Sequence, residues 1–173
     1  GPPHESVECH GYAKRNLQLA SRYYNQQLGT EAICVCPTTL YGPGDSFDPQ
    51  RTKVVGGMIR RFVDAVDRNL SEVVCWGSGQ TKREFLYVKD CAKLLIEAAR
   101  HYNDYSTPLN LGSGQEYSIQ ELAETVARIV GYKGKIIWDT DEPDGQARKL
   151  LSPEKMVKTL PLSSLVFTKF EEG

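Results

Sequence analysis

Stretches with apolar side chains at helical spacing alternate along this chain with short β-branched and sulfur-bearing runs. Glycine, proline and aspartate fall between them. The pattern predicts a helix over Gly11 to Leu28, stopped by Gly29. EAICVC, Glu31 to Cys36, closed by Pro37, predicts a buried strand, and TTLYGPGDSFDP reads as a loop. Val54, Met58, Ile59, Phe62 and Val66 place a second helix over Lys53 to Asn69. Glu72 to Trp76 predicts a strand, and Phe85 to Val88 another short extended piece. A third helix is expected over Lys89 to Tyr102, with Asp90 near its start. Pro108 to Leu111 reads as a strand entering a Gly-Ser-Gly turn. SIQE then opens a helix from Ser118 to Val130, with Ser118 as N-cap and Glu121 closing a capping box. Lys135 to Trp138 predicts a last strand, DEPDGQARK a polar loop and Ser152 to Thr159 a short helix. Strands alternating with helices predict an α/β domain with parallel pairing.

Composition narrows the possible partners. With 173 residues, 40% of them apolar and 25% charged, the chain has the make-up of a globular protein able to bury one good core. A net charge of −1 argues against nucleic acid or an anionic membrane as partner, so Arg60, Arg61, Lys82 and Arg83 are read as a local site. No apolar run approaches the roughly 20 residues that span a bilayer, and no signal-peptide pattern is present, so a cytoplasmic location is expected. Cys9, Cys34, Cys36, Cys75 and Cys91 form no CxxC and no Cys/His spacing. Buried free thiols and no metal are expected, with Cys34 and Cys36 on one sheet face.

The segment with the most chemistry is WGSGQTKREFLYVKD, Trp76 to Asp90. An indole can stack on a base, glycines let backbone approach a ligand, and Arg83 offers a planar fork to phosphate oxygens. The same residues also suit an ordinary hairpin turn with a solvated basic tip. A dinucleotide-binding domain starts with a strand, a Gly-rich turn and a helix, yet no GxGxxG is present. Gly77-Ser-Gly79 and Gly112-Ser-Gly114 both lack the third glycine, and a Gly-Pro-Pro loop directly precedes the first helix. The chain therefore reads as the later part of such a fold, without its cofactor half.

Taken in order, GPPH at 1–4, GYAK at 11–14, PTTLYGPGDSF at 37–47, VVGGMIRRF at 54–62, VVCWGSGQTKREFLYVKD at 73–90, LNLGSGQEYSIQELA at 109–123, GYKGKIIWD at 131–139 and PDGQARKLL at 143–151 resemble the C-terminal portion of a GDP-L-fucose synthase. The resemblance implies the later part of a Rossmann-like, extended short-chain dehydrogenase/reductase fold. Residues 1–52 would be the remnant of the dinucleotide-binding domain, and 53–173 mainly the small substrate-binding domain, with segments returning to the Rossmann part. It implies NADPH-dependent epimerisation at C3 and C5 of a GDP-4-keto-6-deoxy-mannose, then reduction at C4. It also implies a homodimer built partly from the helix bearing Lys14, or completion by a missing N-terminal half. The GDP contacts carry over to Val54, Met58, Arg61, Trp76, Arg83, Asp144 and Lys149, and the cofactor contacts to Lys14, Pro37, Thr38, Thr39, Leu40 and Lys53. Arg61, Arg83 and Lys149 would neutralise a diphosphate, and Asp144 would accept ribose hydroxyls.

The catalytic positions depart from the family pattern. Lys14 matches the family lysine, but His10 stands four residues earlier where the family has tyrosine. Tyr12 lies about 200° around the helix from Lys14 and does not share its face. Lys53 replaces the family's acid/base histidine, and Thr39 its usual asparagine. His10 and Lys53 remain candidate catalytic groups, since imidazole titrates near neutrality and an ammonium can hold a ketone oxygen. The alternative is a catalytically degenerate reductase domain kept as a structural subunit or scaffold.

Overall fold

The computed structural model describes residues 2–3, 5–163 and 166–173, so Gly1 and His4 of the opening motif lie outside the described residues. A short 3-10 turn, Glu5–Val7, leads into α1, Glu8–Leu28. Gly29 ends α1 in the left-handed region at φ 66, and its N–H returns to the Asn25 carbonyl. No side chain of α1 is buried. Cys9, on its first turn, is exposed, which corrects the expectation of buried thiols there. Cys75 and Cys91 are buried, whereas Cys34 and Cys36 are half-buried.

Two strands separated by one residue follow, β1 at Val35–Pro37 and β2 at Thr39–Tyr41. The strand expected over Glu31 to Cys36 is thus shorter and later. Its partner β5, Leu109–Leu111, offers only three residues of parallel ladder, starting at Val35. The second strand is a correction, because the segment with so many turn residues was read as a loop. Parallel pairing of Thr39, Leu40 and Tyr41 with Phe85, Leu86 and Tyr87 overrides that local preference. The partner strand β4 spans Lys82–Tyr87 and so begins three residues earlier than the apolar run suggested.

Helix α2, Val54–Asp67, and strand β3, Glu72–Trp76, precede β4, and α3, Val88–His101, follows it. Strand β6, Glu116–Ser118, pairs antiparallel with β4 and leads into α4, Ile119–Val130. The capping box predicted from SIQE is present. Ser118 Oγ accepts the Glu121 N–H at 3.0 Å, and Glu121 Oε2 accepts the Ser118 N–H at 2.7 Å. Strand β7, Lys135–Asp139, pairs in parallel with β3. The polar loop expected at DEPDGQARK contains a two-residue strand, β8, Arg148–Lys149, laid in parallel beside Lys82 and Arg83. Helix α5, Glu154–Thr159, follows, and a 3-10 turn, Phe170–Glu172, comes after it. Lys155 fastens α5 by donating to Tyr102 Oη at 2.6 Å and Asp104 Oδ2 at 2.7 Å.

The fold is α/β with mainly parallel strand pairs, and β4 is its centre, bonded to β2, β6 and β8. Successive β4 side chains leave opposite faces. Phe85 joins a core made by α2, α4, β3 and β7 around Phe62, Val73, Cys75 and Leu122. Leu86 joins a second core with Leu94, Leu109, Leu111 and Met156. Strand pairing crosses the boundary placed at residue 52, since β1 and β2 take β5 and β4 as partners. Among the described residues, no helix is long and apolar enough to cross a membrane.

The capping box generates a stability prediction. Ser118→Ala removes the acceptor for the Glu121 N–H and should lower the unfolding free energy by about 1 kcal/mol. Urea titration followed by circular dichroism measures it, and an unchanged midpoint would show that the cap contributes nothing.

Candidate functional site

A cleft of ≈ 680 Å³ opens where the first residues of β2 and the end of β3 meet the start of α2 and one face of β4. Strand β2 contributes Thr39 and Leu40, and the first residues of α2 contribute Lys53 and Val54. Trp76 stands at the end of β3, and Thr81, Arg83 and Phe85 come from β4 and the residue before it. The segment after β7 closes the far side with Pro143, Asp144 and Lys149, and Ile119 packs beside them. Eight residues singled out from the sequence thus share one cleft: Thr39, Leu40, Lys53, Val54, Trp76, Arg83, Asp144 and Lys149.

The others stand elsewhere. Met58 is buried in the α2–α4 core at 7% exposure. Arg61 lies on α2 and donates from Nη1 to the Val74 carbonyl at 2.8 Å, beside β3 and outside the cleft lining. Pro37 ends β1, and Thr38 is buried behind it. His10 and Lys14 are exposed on α1 and line no part of the cleft. Thr81 and Ile119 line it too, and neither carries a sequence signal: Thr81 is a small polar residue before the basic pair, and Ile119 is an apolar position of α4 like its neighbours.

Three of the four charged side chains on the cleft wall, Lys53, Arg83 and Lys149, are cations, and Asp144 is the fourth. Register pairing puts Lys149 opposite Arg83. Arg83 donates from Nη1 to the Lys82 carbonyl at 2.8 Å. Among the described residues, no ion pair engages Lys53, Arg83 or Lys149. The start of α2 adds the positive end of its dipole, with Lys53 extended at its N-cap position and no side chain capping it. Trp76 is 65% exposed, an indole left in solvent at the mouth.

The one carboxylate on the cleft wall is committed elsewhere. Asp144 Oδ1 accepts the Ser78 N–H at 2.7 Å, and Oδ2 accepts the Ser78 hydroxyl at 2.8 Å. These two bonds, the backbone one first, hold the Asp144 carboxyl below the usual aspartate range. Gly77, at φ 77, faces Asp144 so closely that a Cβ would stand 2.4 Å from Oδ1. At Gly79, φ 74, a Cβ would meet the Trp138 ring at 2.9 Å. In the first Gly-Ser-Gly turn Gly77 packs on Asp144 and Gly79 on the Trp138 ring, and Gly79 also lines the cleft.

A sequence profile of the NAD dependent epimerase/dehydratase family matches residues 1–112, about two thirds of the chain. The chain belongs to that family. Within it, the similarity runs to GDP-L-fucose synthases. A probable GDP-L-fucose synthase 1 of Oryza sativa is 42% identical over 156 residues, covering 90% of this chain and 47% of the rice protein. The GDP-L-fucose synthase of Sinorhizobium fredii is 42% identical over 157 residues, covering 91% and 50%. Among solved structures, a GDP-L-fucose synthetase of Naegleria fowleri bound to NADP superposes with a TM-score of 0.88 at 32% identity, covering 99% of this chain and 54% of that one. The chain spans about half the length of the curated relatives it matches.

The Asp144–Ser78 contact carries a pH prediction with a definite sign. A lowered carboxyl pKa means that the attachment is fully present above the ordinary aspartate value and is lost only as pH falls through the lowered one. The Ser78 amide resonance, followed by NMR, should titrate with a midpoint below the ordinary aspartate range, and Asp144→Asn should abolish that titration. A midpoint at or above the ordinary value would show that the contact is not formed in solution.

Proposed function

We propose that the cleft binds the GDP part of a nucleotide sugar, and that the intact protein is an NADPH-dependent GDP-L-fucose synthase whose substrate-holding face this chain supplies. The observation that carries the reading is the convergence of Lys53, Arg83 and Lys149 on one cleft without an ion-paired carboxylate. Three cations that do not neutralise one another suit a polyanion, and a diphosphate is compact enough to touch all of them. Arg83 gives the planar fork and Lys149 a second point charge beside it. Trp76 offers its exposed face to the sugar or base. Each Asp144 oxygen keeps a second lone pair for a ribose hydroxyl while holding Ser78. Val54 adds an apolar wall, while Met58 and Arg61 set that wall from behind, through the core and through the Val74 carbonyl.

The cofactor is reached by this chain at one end only. Thr39, Leu40 and Lys53 stand on the cleft wall where a nicotinamide would lie against the sugar. Neither Gly-Ser-Gly turn serves its pyrophosphate, because both already hold carboxylates of the chain itself. When bound, the cofactor supplies the hydride for reduction at C4. Lys53 holds a ketone oxygen by charge rather than acting as a base. His10, one helical turn before Lys14, is the group in the position of the proton donor to that oxygen. Binding is therefore the part of the reaction for which this chain keeps the required groups in one place, and the exchanged catalytic positions support little turnover by the chain alone. The exposed apolar residues of α1, among them Leu17, Tyr23, Tyr24 and Leu28, support its pairing with a second copy.

Calorimetry with GDP tests the reading. Binding should weaken as salt is raised, and Arg83→Ala and Lys149→Ala should each cost about 10- to 100-fold in affinity, the scale of a hydrogen bond to a charged group. A folded sample that takes up no GDP at millimolar concentration would end it.

A further inference from the structure

Glu84 lines no part of the cleft, yet it is 0% exposed, which is unusual for a carboxylate and requires donors around it. The donors are main-chain groups. Glu84 Oε1 accepts the Gly114 N–H at 2.7 Å, and Oε2 accepts the Leu151 N–H at 3.2 Å. Gly112 lies against the same carboxylate, and a Cβ there would stand 2.4 Å from Oε1. The second Gly-Ser-Gly turn is thus a seat for Glu84. A side chain at 112 and a seated carboxylate exclude one another.

What Glu84 holds leads directly to the cleft. Alternation along β4 sends Arg83 and Phe85 to the cleft face and Glu84 to the other. From behind, Glu84 reaches Leu151, two residues beyond Lys149. Strand β8 has only two residues with which to hold its place on β4. On its early side, the Lys82 N–H reaches the Ala147 carbonyl at 2.9 Å. Arg148, opposite Lys82, makes a two-point contact with Glu116 at 2.7 and 2.6 Å. On its late side, Glu84 holds the Leu151 N–H, and Asn110 Nδ2 donates to the Ser152 carbonyl at 3.4 Å. The register so fixed sets two cations, Lys149 and Arg83, opposite each other, a pairing that repels until an anion arrives. A strand this short keeps such a register only if something outside the ladder holds it.

We propose that Glu84 is a positioning residue of the cleft: seated on the Gly112-Ser-Gly114 turn, its carboxylate holds the Leu151 N–H and so fixes Lys149 beside Arg83 to receive the ligand's phosphates. This rests on the reading that the cleft takes the diphosphate of a GDP-sugar. Glu84 touches no ligand and acts through Lys149.

The test is a double-mutant cycle with GDP as the probe. Glu84→Gln keeps the shape but turns an amide NH2 towards one of the two N–H groups it must accept. It should weaken GDP binding about tenfold in the protein with Lys149, and by almost nothing in the Lys149→Ala background, where the group being positioned is gone. Gly112→Ala, which displaces the carboxylate without altering it, should reproduce both results and covers the case in which Glu84→Gln does not fold. Wild-type affinity in both variants, or equal losses in both backgrounds, overturns the proposal, because a general loosening of the fold does not depend on Lys149. Amide hydrogen exchange at Leu151 and Gly114 reads the tether without any nucleotide. Protection in the wild-type protein that falls in Glu84→Gln is expected, and unprotected amides in the wild type refute the tether. If the wild-type protein binds no GDP, the functional reading fails, and the exchange result alone decides whether Glu84 orders β8.

Discussion

The cleft depends on how two carboxylates are seated against glycine turns. Asp144 rests on Gly77 and Ser78, and Glu84 rests on Gly112 and Gly114. Both contacts act on one segment, residues 144–151, at its two ends. Residues 141–149 are exposed, and between those ends the segment is held by the two-residue β8 ladder, the bond from the Lys82 N–H to the Ala147 carbonyl and the Arg148–Glu116 contact. A turn that packs a carboxylate needs donors and the absence of Cβ atoms, which are the features that also suit phosphate. Here those features are used internally. Beside the turns, Arg83 on β4 stands opposite Lys149 on β8.

Much of the architecture could be read from the chain. Apolar periodicity marks α2, α3 and α4, and the capping box marks the start of α4, because there the local signal and the tertiary packing agree. Helix α1 buries no side chain and is marked by its Gly29 stop. The strands missed were short ones, β2, β6 and β8. Each exists because β4 offers it a hydrogen-bonding edge, and no pattern within three residues encodes a partner dozens of positions away. The residues that share the cleft were legible as types and as an ordered set of motifs. Their roles were less so. Glycines beside a basic strand suggested close approach by a ligand, and at those glycines the chain's own atoms come close as well: Asp144 Oδ1, Glu84 Oε1 and the Trp138 ring. Glu84 was hidden inside the very segment that drew most notice, since a lone glutamate between Arg83 and Phe85 reads as solvated until its face of the strand is known.

The two groups of family positions differ in what surrounds them. Trp76, Arg83, Asp144 and Lys149 are fixed by the sheet and by carboxylate seating, and they face one another across one volume. His10 and Lys14 sit on a helix with no buried side chain, so nothing in the described residues sets their distance from that volume. Lys53 belongs to both groups. It stands where the resemblance leads one to expect a histidine, and it adds a third cation to the cleft.

A crystal structure of the protein with GDP tests the central claim most directly. The account predicts the diphosphate on the Arg83 and Lys149 side chains, with Asp144 still bound to Ser78 and Glu84 still bound to Gly114 and Leu151. A diphosphate seated on the amides of either Gly-Ser-Gly turn, with its carboxylate displaced, would contradict it.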